Sequence, residues 1–346
     1  MYALKSIIST FMCLLILLTM TKCSVEEQAP PPKNRSELDK YLQAISSQKK
    51  ISAASLAVMK DDSVVGQYHF NDGKLITESV QPNTVYQIAS ATKIFTGALA
   101  MILSEEGVIS LEDSVGNFLK DIPASWRNIK LKNLLSHTSG LPRLLNPDTG
   151  EMLGKDAATS LEKVMDFEVR TKAGDEWSYN QLGFYLIQKI FVKETGLEWE
   201  ELLKKYIFSP LEMTSTSYQT NDNSVKSFSL LSSAEPEAFS YDYQVKPAGG
   251  IYTSSKDLTK FMKGIHSNQL MKEKKKDMMW SKFTLNDESK AEYGLGWDMS
   301  KLNGKQTVGH TGGRKVAITH FTKSKITVIL LTNTYGSDPI NFVGPI

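Results

Sequence analysis

Apolar residues recur at two different periods along this chain, and the switches between them outline a fold. Leu38, Tyr41, Leu42 and Ile45 stand at i, i+3, i+4 and i+7. They follow Ser36-Glu37-Leu38-Asp39, which reads as a capping box, so a helix here lays one apolar face on a neighbour. Apolar runs at Ala53 to Met59 and Val64 to Phe70 flank Lys60-Asp61-Asp62-Ser63, the signal of an antiparallel hairpin. From Ile94 to Leu103 the chain is apolar nearly all round, which predicts a buried helix, and Glu106-Gly107 ends it. Helical patterns dominate from Leu131 to about Tyr218: Leu131 to Leu135, Gly183 to Val192 closed by Thr195-Gly196, and Trp199 to Ile207. Pro247-Ala248-Gly249-Gly250 predicts a tight turn, and Asp257 to Ile265 another amphipathic helix. Strand patterns return at Gln306 to His310, Val316 to Phe321 and Ile326 to Thr332. Two early strands and three late ones predict an α+β fold, in which both ends of the chain build one antiparallel five-stranded sheet flanked by helices. The expected division is 36–115 plus 245–346 for the sheet domain and 116–244 for a mainly helical insertion, with a cleft between them.

Composition changes this picture mainly at the N-terminus. The chain has 346 residues, 41% of them hydrophobic and 23% charged, with a net charge of +2, which is ordinary for a globular protein. Its densest basic run, Lys272 to Lys276, is short and closed by Asp277, so no nucleic-acid partner is expected. Lys5 precedes an apolar run from Ile7 to Met20, and Lys22 and Cys23 follow it. That is the layout of a secretory signal peptide over 1–23, and Cys23 is placed like the acylated cysteine of a bacterial lipoprotein. Met20 and Lys22 depart from the leucine and the small residue usual at those positions. The expectation is an exported protein held at a bacterial membrane through this lipid anchor only, with a periplasmic or secreted protein as the alternative. Residues 24–35, with Pro30-Pro31-Pro32, would be a stiff tether. Cys13 and Cys23 are the two cysteines, so the body beyond them has no disulfide framework, thiol nucleophile or thiolate metal site.

Candidate chemistry begins at Ser90 and Lys93, three residues apart at the mouth of the buried helix. The spacing stacks them on one face of its first turn, where an ammonium and unpaired N–H groups favour negative charge on a hydroxyl. Spacing alone does not choose this pair, because Ser46/Lys49, Ser47/Lys50 and Ser160/Lys163 share it. Those three read as solvated helix faces or ends. Neither Gly-x-Ser-x-Gly nor His-Glu-x-x-His occurs, which disfavours an α/β-hydrolase elbow and a zinc hydrolase. Two distant stretches supply what the serine lacks. Trp177-Ser178-Tyr179-Asn180-Gln181 puts a phenol at a loop edge, where neighbouring ammonium groups would favour its phenolate as a general base. Gly309-His310-Thr311-Gly312-Gly313 ends a strand, with glycines that let a substrate backbone approach and an N–H suited to an oxyanion hole.

With Leu134-Leu135-Ser136-His137-Thr138-Ser139-Gly140-Leu141 and Ala248-Gly249-Gly250, these stretches make the sequence resemble the serine β-lactamase and penicillin-binding-protein superfamily. The branch is that of class C β-lactamases, DD-carboxypeptidases, D-aminopeptidases and related esterases, and the likeness runs from about Ser36 to Thr334. It implies Ser90 as acylated nucleophile, Lys93 as proton shuttle and Tyr179 as general base. It further implies the N–H groups of Ser90 and Gly313 as oxyanion hole, and His310 facing a substrate carboxylate, with Thr311 and Gly312 beside it. Gln181 stands where the family has asparagine. His137 is expected to support a loop through hydrogen bonds. The final helix usual in the family is expected to be absent or about one turn, because Gly344-Pro345 would interrupt it. The expectation is an extracytoplasmic serine hydrolase, free of cofactor and metal, acting on a small ester, lactam or D-amino-acid peptide. The competing reading is a catalytically quiet relative that binds cell-wall peptide or serves as a scaffold.

Overall fold

β-branched and aliphatic runs from both ends of the chain meet in one sheet, as their alternation requires. The structure, a computed structural model, describes residues 35–146, 150–230, 235–240 and 243–343. The expected leader, Cys23 and the tether up to residue 34 lie outside the described residues. In chain order, the elements that frame the site are α1 (Arg35–Gln48), β1 (Ala53–Lys60), β2 (Ser63–Asn71), β3 (Val85–Gln87), α2 (Lys93–Glu105), α3 (Leu131–Leu135), α4 (Gln181–Thr195), β4 (Tyr252–Ser254), α5 (Ser255–His266), β5 (Asp298–Leu302), β6 (Lys305–Gly312), β7 (Val316–Phe321), β8 (Ile326–Thr332) and α6 (Ile340–Val343).

The main sheet is antiparallel throughout, in the order β2-β1-β8-β7-β6-β5. It has six strands where five were expected. The added strand, β5, lies at the edge and is largely open to solvent, so its sequence DMSKL carries little of the apolar alternation that marks the others. Alternation then sorts side chains to two faces. Leu56, Ala317, Val328 and Leu330 join Leu42 and Ile45 of α1 and Phe342 and Val343 of α6 in one outer cluster. Ala57, Met59, Val316, Ile318, Ile329 and Leu331 face the main core, which holds α2, α4 and α5. The last helix among the described residues is the single turn α6, and Gly344-Pro345, on which the expectation of a shortened helix rests, lie outside them.

Between Gly116 and Gln244 most of the described regular elements are helices, yet this stretch also pairs with the chain that follows the main sheet. Phe228–Ser229 pairs in parallel with Thr334–Tyr335 and antiparallel with Glu237–Ala238. A second pair joins β3 to β4 just before Ser90, with Tyr86 opposite Thr253. The loop that follows Pro247 is thereby held against the start of α2.

α2 is the axis of the core: every residue from Lys93 to Leu103 is buried. Phe95 packs on Phe261 of α5 with ring centroids 4.2 Å apart, and Phe261 stacks on Trp297 at 6.2 Å. Gly97 lets the Leu295–Trp297 turn close on the helix, since a Cβ there would lie 2.2 Å from the Leu295 carbonyl oxygen. Gly97→Ala should therefore destabilise the protein by about 1–3 kcal/mol through overpacking, against the helix-propensity gain that alanine ordinarily brings. A lower urea midpoint at unchanged slope is the expected result. An unchanged or higher midpoint would show that the turn yields freely.

Candidate active site

Ser90 stands out by its exposure. From Thr84 to Leu103 it is the one residue that is not buried. It lies in a short 3-10 turn, Ala89–Thr92, that runs straight into α2. Ala89 has φ +48°, a left-handed conformation that costs an alanine roughly 1–2 kcal/mol. The end of β6 presses on this turn. A Cβ at Gly312 would meet the Ile88 carbonyl oxygen at 2.0 Å, and one at Gly313, which has φ +54°, would meet Ala89 Cβ at 3.2 Å. Only glycines allow so close an approach, so β6 delivers the Gly312-Gly313 backbone to the serine.

Lys93 has no exposed surface at all. Its Nζ donates to the Ala248 carbonyl at 2.8 Å and lies 4.8 Å from the Tyr179 ring centroid and 5.3 Å from that of Phe184. Thr96, one residue short of a turn further on, donates to the Pro247 carbonyl at 2.7 Å. The expected tight turn Pro247 to Gly250 thus serves as the acceptor wall for α2. Burial drives the Lys93 ammonium well below the usual lysine range, with the Asp298 carboxylate opposing part of that shift.

Tyr179 is half-buried, and the Ser90 and Gln181 side chains lie close enough to its hydroxyl to favour its ionised form. Its position follows from the loop that carries it. Asn180 caps α4, its Oδ1 accepting from Leu182 N–H at 2.8 Å. The Asn180 amide also donates to the Leu141 and Pro142 carbonyls at 2.7 and 2.9 Å. His137 accepts from Asn180 N–H at 3.1 Å through Nδ1, and its carbonyl accepts from Ser178 N–H at 2.8 Å. The histidine therefore supports this loop, as its sequence context suggests. Its pKa is held well below the usual range, by burial first and then by Lys93 and His310.

Two expectations are corrected here. A phenolate was expected at Tyr179 because ammonium groups would favour it. Burial instead pushes the phenol above its usual range, the hydrogen bonds from Ser90 and Gln181 offset only part of this, and Asp298 adds to it. The neighbouring ammonium is itself disfavoured, so the resting tyrosine is a neutral phenol. His310 was expected to face a substrate carboxylate, yet it is 4% exposed. Its Nδ1 donates to the Thr311 carbonyl at 2.6 Å and its Nε2 accepts from the Tyr293 hydroxyl at 3.0 Å. Burial lowers its pKa, Asp298 opposes this, and Lys93 adds to the lowering, so the imidazole is neutral and turned inward.

Sequence reasoning missed three residues that the fold brings to this site. Tyr293 bonds His310 and packs 4.8 Å from the His137 ring. Asp298, on the unforeseen edge strand, lies with Oδ2 3.9 Å from His310 Nδ1 and acts electrostatically on Lys93, Tyr179 and Tyr293. Arg143 borders a cavity beside Tyr179. Its one signal in the sequence is a cation set among Leu141, Pro142 and Leu144, which are buried.

Comparison with known proteins agrees with this geometry. The chain matches the beta-lactamase family over residues 38–344. Penicillin-binding protein 4* of Bacillus subtilis is 24% identical over 272 residues, covering 71% of this chain and 60% of that protein. Protein flp of Staphylococcus aureus is 26% identical, covering 66% of this chain and 48% of that protein. The match thus spans about half the length of these curated relatives. Among solved structures, the octameric penicillin-binding protein homologue from Pyrococcus abyssi superposes with a TM-score of 0.77 at 24% identity, covering 90% of this chain and 75% of that one. EstCE1, a hydrolase with promiscuous acyltransferase activity, gives 0.74 at 18% identity, covering 88% and 96%. D-amino acid amidase from Ochrobactrum anthropi gives 0.72 at 17% identity, covering 88% and 96%. With the family match running over nearly all of the described residues, the chain belongs to the beta-lactamase family.

Proposed function

We propose that the protein is a serine hydrolase that cleaves a small ester or amide through a covalent acyl-enzyme on Ser90. The observation that carries this reading is that the Ser90 side chain and the Tyr179 phenol meet beside a fully buried lysine, whose Nζ lies 4.8 Å from the phenol ring centroid. A lysine that burial disposes to be a neutral amine can accept a proton at neutral pH, which an ordinary ammonium cannot. In this scheme Ser90 Oγ attacks the substrate carbonyl carbon as its proton passes into the Tyr179–Lys93 pair. Lys93 stores that proton, and Tyr179, a neutral phenol, delivers it to the departing alcohol or amine. The acyl–leaving-group bond breaks, and water then repeats the sequence on the acyl-enzyme. The Ser90 and Gly313 N–H groups would stabilise the tetrahedral oxyanion, since β6 sets Gly312-Gly313 against the Ser90 turn. Positioned acid–base groups are worth about 10²–10⁴ in rate and an oxyanion donor about 10²–10³. Together they suffice for acyl transfer to serine. The hydrolases and amidase among the structural relatives are compatible with ester and amide substrates alike.

A fluorophosphonate should label the native protein at the peptide bearing Ser90, and Ser90→Ala should lose both the label and the hydrolysis of p-nitrophenyl esters. Lysine and tyrosine in place do not make an enzyme if the native protein takes no label and hydrolyses none of a panel of esters, a chromogenic cephalosporin and D-alanyl peptides. That outcome would favour the quiet, peptide-binding reading.

The pH dependence follows from the directions of the shifts. Activity should rise with pH as Lys93 loses its proton, on a limb centred below the usual lysine range, and fall only where Tyr179 ionises, above the usual phenol range. Asp298 raises the proton affinity of Lys93, so Asp298→Asn should move the rising limb of kcat/KM to lower pH. A limb that stays in place or moves upward would remove Lys93 from the role of base.

A further inference from the structure

We propose that Arg143 is the group that recognises a substrate carboxylate in this protein, from a subsite beside Tyr179. The proposal rests on the hydrolase reading above and specifies one end of its substrate.

A cavity of about 270 Å³ opens beside Tyr179, lined by Arg143, Leu144, Leu145 and Gln181 among others. It is one residue removed from Ser90, because Tyr179 lines it and the Ser90 side chain acts on the Tyr179 hydroxyl. Two polar atoms on its walls are fully buried and have no partner among the described residues: Arg143 Nε and Gln181 Oε1. A buried guanidinium N–H and a buried amide oxygen each cost about 1–3 kcal/mol when left unpaired. They do not pair with each other, so both require a third group. Arg143 makes no ion pair with any described carboxylate. A guanidinium presents a planar fork of donors, which suits a carboxylate better than a single carbonyl. Gln181 Oε1 would accept an N–H or O–H from the same ligand, and Leu144 and Leu145 give it an apolar flank.

The other wall of the site argues the same way by exclusion. His310, the residue expected to meet a carboxylate, is neutral with both ring nitrogens already bonded. The Asp298 carboxylate stands 3.9 Å from it, its side chain 37% exposed. An anionic group placed there would meet a like charge and no cation. The surroundings of His310 thus offer a carboxylate and no cation, whereas the loop after Pro142 offers the Arg143 guanidinium. A substrate carboxylate belongs with Arg143.

The test compares matched esters in one assay. One pair carries its charge on the acyl part (mono-p-nitrophenyl glutarate against its methyl ester), and the other on the leaving group (3-acetoxybenzoate against its methyl ester). The native protein should favour the acid over the neutral partner in one pair by roughly tenfold in kcat/KM, mainly through KM. Arg143→Gln should bring that ratio to about one, and Arg143→Lys, which keeps a point charge, should retain part of it. Because the readout is a ratio within each variant, a partial loss of folded protein leaves it interpretable. The proposal is overturned if neither acid is favoured by the native protein, or if the preference survives Arg143→Gln, or if it is lost equally in Arg143→Lys. Absence of all ester hydrolysis and of fluorophosphonate labelling in the native protein would instead overturn the hydrolase reading.

Discussion

The site depends on a lysine placed where an ammonium is hard to keep. Lys93 begins a helix whose next ten residues are all buried, and it has no exposed surface itself. Confining a full charge there costs several kcal/mol even after relaxation, and a group in that position sheds its proton instead. What surrounds Nζ moderates this cost without cancelling it: one carbonyl oxygen, the faces of two aromatic rings and a carboxylate at longer range. The same packing that makes α2 the axis of the core therefore lowers the pKa of Lys93, on which the proposed role of base rests. Stability and chemistry share one element, and the glycines at 97, 312 and 313 are where other elements close on it.

A second consequence concerns charge. Lys93 opposes protonation of both His137 and His310, and His310 opposes that of His137. Asp298 is the carboxylate that acts on Lys93, Tyr179, Tyr293 and His310 together. It favours a proton on all four. That makes the edge strand β5 part of the site's electrostatics, although none of its residues lies in a motif. A neutral His310 beside this carboxylate differs from the cationic anchor that the family resemblance implies. Substrate selection in this protein consequently cannot be carried over from relatives that are 17–26% identical.

Much of this fold was legible because its strands and helices are buried on one face or both. β7 and β8 begin and end where their apolar runs do, and α3 coincides with its predicted span. β5 was not legible, since an edge strand in which none of the five residues is buried has no alternation to read. The place of Ser90 and Lys93 at the mouth of a buried helix and the loop-supporting role of His137 could be inferred from spacing and context. The protonation of Tyr179 could not, because it turns on whether desolvation or a neighbouring ammonium wins, and only packing decides that. His310 failed for a similar reason: the sequence places it at a strand end, but Tyr293 and the Thr311 carbonyl determine which way the ring is used.

The central claim is that Lys93 is the proton acceptor because burial deprotonates it. Its most direct test is the carbon NMR titration of the protein labelled with ¹³C at lysine Cε, with the Lys93 signal assigned by its absence in Lys93→Met. The account predicts that this signal titrates apart from the other lysines, below the ~10.4 of a free side chain. It should move further down in Asp298→Asn. A Lys93 signal that remains that of an ammonium up to the ordinary lysine range would contradict it.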